Sequence, residues 1–177
     1  MTQPTENRPL QKAWIVTDIE AAARRWSKAL GVGPFFVAEY PPSVFDELHY
    51  RGAPGKLHMK TAIAYAGDEQ IELVQPLGDF DCAYNDTVPY GQGGFHHLCF
   101  WTDDIDADVA HYESLGLEVA NAGRMTDGGP RFAYVDASET LGAMIELLER
   151  RPALVELFDG WRDTCRKWDG AEAIVHL

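Results

Sequence analysis

Polar and apolar positions alternate from Gln11 to Thr17. Gln11, Ala13, Ile15 and Thr17 fall on one side and Trp14 and Val16 on the other, the two-residue period of a strand. At Asp18 the period changes. Ile19, Ala22, Ala23, Trp26 and Leu30 recur at helical spacing, Asp18 is a helix-capping residue type, and Gly31 supplies a left-handed stop, so a helix is predicted directly after the strand. Both patterns return 86 residues later. His97 stands where Gln11 stood and Asp104 where Asp18 stood, and Ile105, Val109, Tyr112 and Leu115 repeat the helix as far as Gly116. An internal repeat fixes architecture more firmly than any single motif.

Each copy closes with strands. Met59 to Ala66 and Gln70 to Gln75 flank the turn Gly67-Asp68 as a hairpin, while Arg131 to Asp136 and Ala143 to Glu149 flank a turn-rich stretch from Ala137 to Gly142. Gln70-Ile-Glu-Leu-Val matches Met144-Ile-Glu-Leu-Leu, which makes Glu72 and Glu146 equivalents; their shorter offset reflects an insertion around Pro41 to Lys56 in the first copy. The predicted fold class is α+β. Two tandem β-α-β-β-β modules occupy residues 11–77 and 95–149, joined by a Gly- and Pro-containing linker at 78–94 and preceded by a polar tail at 1–10. After Pro152, an apolar stripe of Leu154, Leu157, Phe158, Trp161, Cys165 and Trp168 predicts a C-terminal helix within 150–170, docked on the sheet or on another subunit. Residues 171–177 carry no readable signal.

Strand parity gathers the chemistry on one face. Trp14, Val16, Leu98 and Phe100 suit the helix side, which turns Gln11 and His97 to the opposite, concave face. Glu72 and Glu146 each lie between apolar neighbours that would pack under the helices, Ile71 and Leu73 for one, Ile145 and Leu147 for the other. They therefore share that concave face. An ionised carboxylate on a buried sheet face is strongly disfavoured unless it is paired or bound to a cation. Singly, each residue has an ordinary reading; jointly, at equivalent repeat positions, Gln11, Glu72, His97 and Glu146 point to one divalent metal ion. Mixed nitrogen and oxygen ligands suit Zn, Ni, Co, Mn or Fe rather than Ca. Such an ion polarises a carbonyl oxygen, with Glu146 the first candidate for the base that moves the neighbouring proton and Glu72 the second. Ala13, Ile15, Cys99, Trp101 and Met144 are expected to line the pocket of a largely apolar substrate. Arg131 is a candidate contact for an anionic group, and His49, Arg51 and His58 border the insertion, either at a pocket mouth or in an ordinary exposed loop.

Composition narrows the function classes. The 177 residues are 46% hydrophobic and 24% charged, the balance of a globular chain, and no apolar run approaches a membrane span. Met1 to Leu10 lack the apolar core of a secretory signal, so the expected compartment is the cytoplasm. Cys82, Cys99 and Cys165 are widely spaced and odd in number, as reduced thiols are. A net charge of −13 without a basic stripe argues against nucleic-acid partners.

Gly94-Phe-His-His-Leu-Cys-Phe-Trp-Thr-Asp-Asp-Ile105, Gln70-Ile-Glu-Leu-Val-Gln-Pro-Leu77 and Gly142-Ala-Met-Ile-Glu-Leu-Leu-Glu149 resemble the vicinal oxygen chelate superfamily, also called the glyoxalase, bleomycin-resistance and dioxygenase family. They look most like methylmalonyl-CoA epimerase and its glyoxalase-like relatives. The resemblance runs from Gln11 to Glu149. It implies a U-shaped, partly closed mixed sheet around a central cavity enclosing one metal. The ligands come from the first and last strands of each module, here Gln11, Glu72, His97 and Glu146, with His96 outside the ligand phase. Epimerases and extradiol dioxygenases carry His where Gln11 stands, whereas some glyoxalases I carry Gln and so an equivalent Gln, Glu, His, Glu set. The family implies a small-molecule substrate, a homodimer, and an isomerase, epimerase or lyase that moves a proton beside a carbonyl of a ketone or thioester. Its other branches supply two alternatives: a metal-free module that sequesters a small ligand, and an extradiol dioxygenase, whose chemistry prefers two histidines.

Overall fold

The computed structural model describes residues 8–177, so the first seven residues of the expected polar tail lie outside the described part. In chain order the elements are β1 (Gln11–Ile15), α1 (Ile19–Leu30), β2 (Phe35–Tyr40), β3 (Phe45–Tyr50), β4 (Ala53–Pro54), β5 (Met59–Ala66), β6 (Glu69–Pro76), α2 (Ala83–Thr87), β7 (Gly94–Thr102), α3 (Ile105–Ser114), β8 (Glu118–Met125), β9 (Arg131–Ala137), α4 (Ser138–Leu141), β10 (Ala143–Glu149), α5 (Pro152–Arg166) and β11 (Ile174–His176).

Both repeat helices begin as the sequence predicts. The Asp18 carboxylate accepts the Ala21 N–H at 2.9 Å, and the Asp104 carboxylate accepts the Ala107 N–H at 3.1 Å, each satisfying a donor the first helical turn leaves open. Gly31 ends α1 in the left-handed region at φ 67°, a conformation costly for a side chain with a Cβ. Each helix buries one face on its own module. Ile19, Ala22 and Ala23 of α1 meet Ala62, Ala64, Ile71 and Leu73, and Ile105 of α3 meets Ala133, Val135, Ile145 and Leu147.

The strands form one open mixed sheet in the order β11-β2-β5-β6-β1-β7-β10-β9-β8-β3-β4. Its centre is the join between the modules: β1 runs parallel to β6 on one side and antiparallel to β7 on the other, and β7 runs parallel to β10. The sheet curls so that its two wings face each other. Leu57, Met59 and Val74 from the first half share a buried cluster with Phe132, Tyr134 and Met144 from the second.

Besides the one-turn α4 in the expected turn at 137–142, three segments acquire structure that the sequence pattern did not predict. The insertion at 41–56 is not a free loop: β3 leaves its own module and pairs with β8 at the far edge of the other, Phe45 opposite Met125 and Tyr50 opposite Asn121. The linker at 78–94 contains α2. The tail at 171–177 supplies β11, which pairs in parallel with β2, Ile174 opposite Phe35. Each module would otherwise expose an edge strand, β2 in one and β8 in the other, and unpaired edges invite association with other chains. The predicted C-terminal helix docks on this chain's own sheet, where Trp161 stacks on Phe36 with ring centres 4.9 Å apart and planes 11° off parallel. Arg131, considered for an anionic group, is held on the outside by both oxygens of Asp106, at 2.6 and 2.9 Å.

Asn121 ties the exchanged β3 to the linker. It is fully buried; its side-chain oxygen accepts the Ala83 N–H at 2.6 Å and its amide donates to the His49 carbonyl at 2.8 Å. Asn121→Ala leaves both backbone groups without that partner and should lower unfolding free energy by about 2 kcal/mol. Urea denaturation checks this, and an unchanged midpoint would show that Asn121 does not hold these segments together.

Candidate metal centre

The register of the four central strands places the chemistry. Ala13 on β1 is opposite Glu72 on β6 and His97 on β7, and one step along, Cys99 on β7 is opposite Gln11 on β1 and Glu146 on β10. Ala13 and Cys99 are themselves repeat equivalents. Their small side chains leave room on the concave face, and the longer Glu72, His97 and Glu146 reach into it.

One atom from each of these three residues lies within 4.8 Å of the others, all three residues being buried. His97 Nε2 is 3.0 Å from a Glu146 oxygen and 3.4 Å from a Glu72 oxygen. Neither approach has hydrogen-bond geometry, so Nε2 meets the two carboxylates as an ion pair without an aligned hydrogen bond. Buried nitrogens are nearly always satisfied, and one aimed between two carboxylates at a common point is what a shared cation would need. The donor set of one imidazole nitrogen and carboxylate oxygens fits a borderline divalent ion.

Gln11 lies in the same cavity wall as both glutamates. Its amide nitrogen donates to Gln70 Oε1 at 2.7 Å, and Gln70 in turn donates to the Tyr65 hydroxyl at 2.6 Å. This chain occupies the nitrogen of Gln11 and orients its amide.

His96, outside the ligand phase by strand parity, is nevertheless as buried as His97. Between β1 and β7 the register slips: Ala13 is opposite His97, but Trp14 is opposite Phe95. The resulting bulge leaves His96 without a partner residue and turns it inward, breaking the period of two. Its Nε2 is 2.9 Å from the Ala83 carbonyl of α2, and its Nδ1 is 2.8 Å from His97 Nδ1. A carbonyl only accepts, so His96 Nε2 donates to it, His96 Nδ1 accepts, and His97 Nδ1 donates. The tautomer chain leaves His97 Nε2 as the atom facing the carboxylates.

The charges follow from burial and contact. Burial works against protonation of His97, but Glu146 and Glu72 overcome it and push its pKa up to about 9. Burial pulls His96 down to about 3, helped by the neighbouring His97 charge, which keeps His96 neutral. Burial raises the Glu72 carboxyl, with Glu146 adding to the rise and His97 opposing it. The tyrosines that join the site, Tyr84 from α2 and Tyr134 from β9, hold hydroxyl to hydroxyl at 3.0 Å and stay neutral because burial raises both far above the usual phenol range.

A cavity of about 130 Å³ opens over this cluster. Its walls are not the residues expected from strand parity. Ala13, Ile15, Cys99, Trp101 and Met144 are all buried, Trp101 against Phe158 of α5 with ring centres 5.8 Å apart, and none lines the cavity. The walls come from flanking strands, Met59, Thr61 and Ile63 on β5 against Phe132 and Tyr134 on β9, and the roof from Leu154, Leu157, Phe158 and Trp161 of α5. The two centremost strands lie at the bottom of the curl, so their side chains are covered by whatever stands between the wings. Sequence reasoning does not single out Tyr84 or Tyr134; the signal for Tyr84 is an aromatic in the linker, and for Tyr134 its place in the strand paired with that of Glu146, opposite that residue.

A family model described as the glyoxalase/bleomycin resistance protein/dioxygenase superfamily matches residues 10–134. No curated protein matches the chain. Among solved structures, methylmalonyl-CoA epimerase from Mycobacterium tuberculosis is similar at 20% identity and a TM-score of 0.60, covering 88% of this chain and 96% of that one. A hypothetical protein from Bacillus halodurans C-125 is similar at 18% identity and 0.58, covering 81% and 94%. A Streptomyces coelicolor methylmalonyl-CoA epimerase variant in complex with 2-nitronate-propionyl-CoA is similar at 20% identity and 0.58, covering 82% and 95%. At such identities the likeness is one of fold.

The pKa of His97 sets a pH dependence for the metal-free protein. Its folded value, about 9, exceeds its ordinary 6.5, so the stabilisation is complete below pH 6.5 and disappears as pH rises through 9. With chelator present, the urea midpoint should fall between pH 6.5 and 9.5, and His97→Gln should remove that fall. Parallel profiles for the two proteins would contradict the assignment.

Proposed function

The chain belongs to the glyoxalase/bleomycin resistance protein/dioxygenase superfamily, and on that premise we propose that it is a divalent-metal-dependent isomerase, epimerase or lyase that moves a proton next to a carbonyl. The observation that carries this reading is His97 Nε2 set between two buried carboxylates with an aligned hydrogen bond to neither. Without an ion, two carboxylates buried at one point share a single imidazolium; a divalent cation balances both.

Glu72, His97 and Glu146 hold the ion, and Gln11 completes the set through the amide oxygen that its bond to Gln70 leaves over. When bound, a divalent ion withdraws electron density from a carbonyl oxygen and makes the neighbouring C–H more acidic. Glu146, which lines the cavity, takes the α-proton and returns it to the same or the adjacent carbon; Glu72, on the opposite side of His97, is the second candidate for that role. His96 is a positioning residue: through Nδ1 it holds the His97 ring in the tautomer that presents Nε2. The cavity walls exclude water from the reacting carbon.

The same residues weigh against the other branches of the family. A metal-free binding module has no use for two carboxylates and an imidazole buried at one point. Extradiol dioxygenases favour two histidines and one carboxylate, and here one histidine stands among the candidate ligands. The solved epimerase complex holds a coenzyme A compound, and proton transfer beside a thioester carbonyl belongs to the same reaction class. The reading extends to a cytoplasmic homodimer, although the cavity is built from one chain alone; light scattering at assay concentration reads whether one copy or two is present.

Metal analysis of the purified protein should find about one divalent ion per chain, reduced severalfold in His97→Ala. In the metal-loaded enzyme Glu146→Gln should slow deuterium exchange at a ketone α-carbon by roughly 100-fold or more. His96→Phe should weaken metal affinity by about 10- to 100-fold, read by chelator competition. A parent protein that purifies without metal and takes none up would overturn the reading.

A further inference from the structure

The cavity is polar at one end only. Its floor carries Gln11, Glu72 and Glu146, with the Tyr84–Tyr134 hydroxyl pair at the foot of one wall, while the rest of its walls and roof are aliphatic, aromatic or thioether side chains apart from Tyr40 and Thr61. Among the described residues, no lysine, arginine or histidine lines it. Several basic groups elsewhere on the bounding elements already face carboxylates: Lys60 and His58 lie against Glu39, Arg131 against Asp106, Arg151 against Glu149 and Arg162 against Asp159. With two glutamates facing one divalent ion, the floor is close to neutral. A substrate bearing a negative charge would therefore bring it against walls that offer no countercharge, in a chain of net charge −13.

Size points the same way. An apolar protein cavity of about 150 Å³ admits benzene, and this one is about 130 Å³. The C-terminal helix narrows it from above: α5 lies across the cavity and is held by Trp161 stacked on Phe36 and by β11, which follows it, paired with β2.

From these observations we propose that the substrate is an uncharged, ring-sized carbonyl compound, oxygen at one end and hydrocarbon at the other, and that α5 is the element that selects it and excludes coenzyme A thioesters and other anions. The proposal rests on the functional reading above for the location of the oxygen, and on the cavity walls alone for the absence of charge. The hydrocarbon body lies between Ile63 and Phe132 and beneath Leu154 and Phe158. The chemistry implied upstream is one that delivers a cyclic or branched ketone without a carrier group.

A matched pair of probes tests this on the full chain, metal-loaded and metal-free. 4-Methylcyclohexanone and 4-oxocyclohexanecarboxylate share a ketone and a ring and differ in the group at the far end. Titration calorimetry should show the methyl ketone binding at least tenfold tighter than the carboxylate, and propionyl-CoA not competing with it. Leu157→Lys places a cation in the roof at a half-exposed position that tolerates it, and should narrow or reverse the preference. Equal or tighter binding of the carboxylate or of propionyl-CoA to the parent protein would overturn the proposal, whatever the metal content. The same preference in a chain that takes up no metal would uphold it while removing the metal-dependent reaction.

Discussion

Two carboxylates buried against one imidazole are the constraint around which the rest of the molecule is arranged. Like charges at one point in a low-dielectric interior repel strongly, and they persist only where a positive charge is built in or bound. In the metal-free protein the proton on His97 is that charge, and the side chains around it are organised to keep it there. His96 ties His97 to the backbone of α2, α2 is tied through Asn121 to β8 and the exchanged β3, and Gln70 with Tyr65 fixes Gln11. The orientation of one ring nitrogen thus depends on segments that the chain brings in from both halves.

The repeat explains why those groups meet. Pairing β1 with β7 places the first strands of both modules side by side, and each carries its last strand as the outer neighbour, so equivalent positions converge across an approximate two-fold relation. The departures from that relation carry the individuality of the protein. Gln11 and His97 differ as donors, the first module lends β3 to the second, and the C-terminal segment covers the cavity of a sheet that would otherwise stand open. A shared family scaffold therefore brings Glu72, His97 and Glu146 to one point, and the additions wall the cavity above them.

Much of this was legible in the chain. Aspartate caps, a glycine stop and an 86-residue offset were enough to place both helices and the central strands, because each rests on local rules. Parity then turned Glu72, His97 and Glu146 to one face, as the structure has them. Where parity failed, a backbone irregularity was the cause: the bulge beside Ala13 turned His96 inward, and a register slip within β3, with Glu47 at positive φ, broke the alternation of Phe45, Leu48 and Tyr50 that would have marked a strand. The cavity walls failed for another reason. Whether Ala13 or Phe132 meets a ligand depends on how far the sheet curls and on which helix crosses it, and neither is encoded in a strand's own period. The tail after Ala171 was likewise unreadable, since three residues added to an edge draw their stability from the partner strand.

The central claim is that Glu72, His97 and Glu146 share one cation. Anomalous diffraction from crystals grown with Mn(II) or Zn(II) tests it directly, because the signal locates the ion without assuming its ligands. A shared cation gives a single strong peak about 2.0–2.2 Å from His97 Nε2 and from one carboxylate oxygen of each glutamate. Electron density showing only water between the three side chains, or a peak bound elsewhere on the acidic surface, would contradict it.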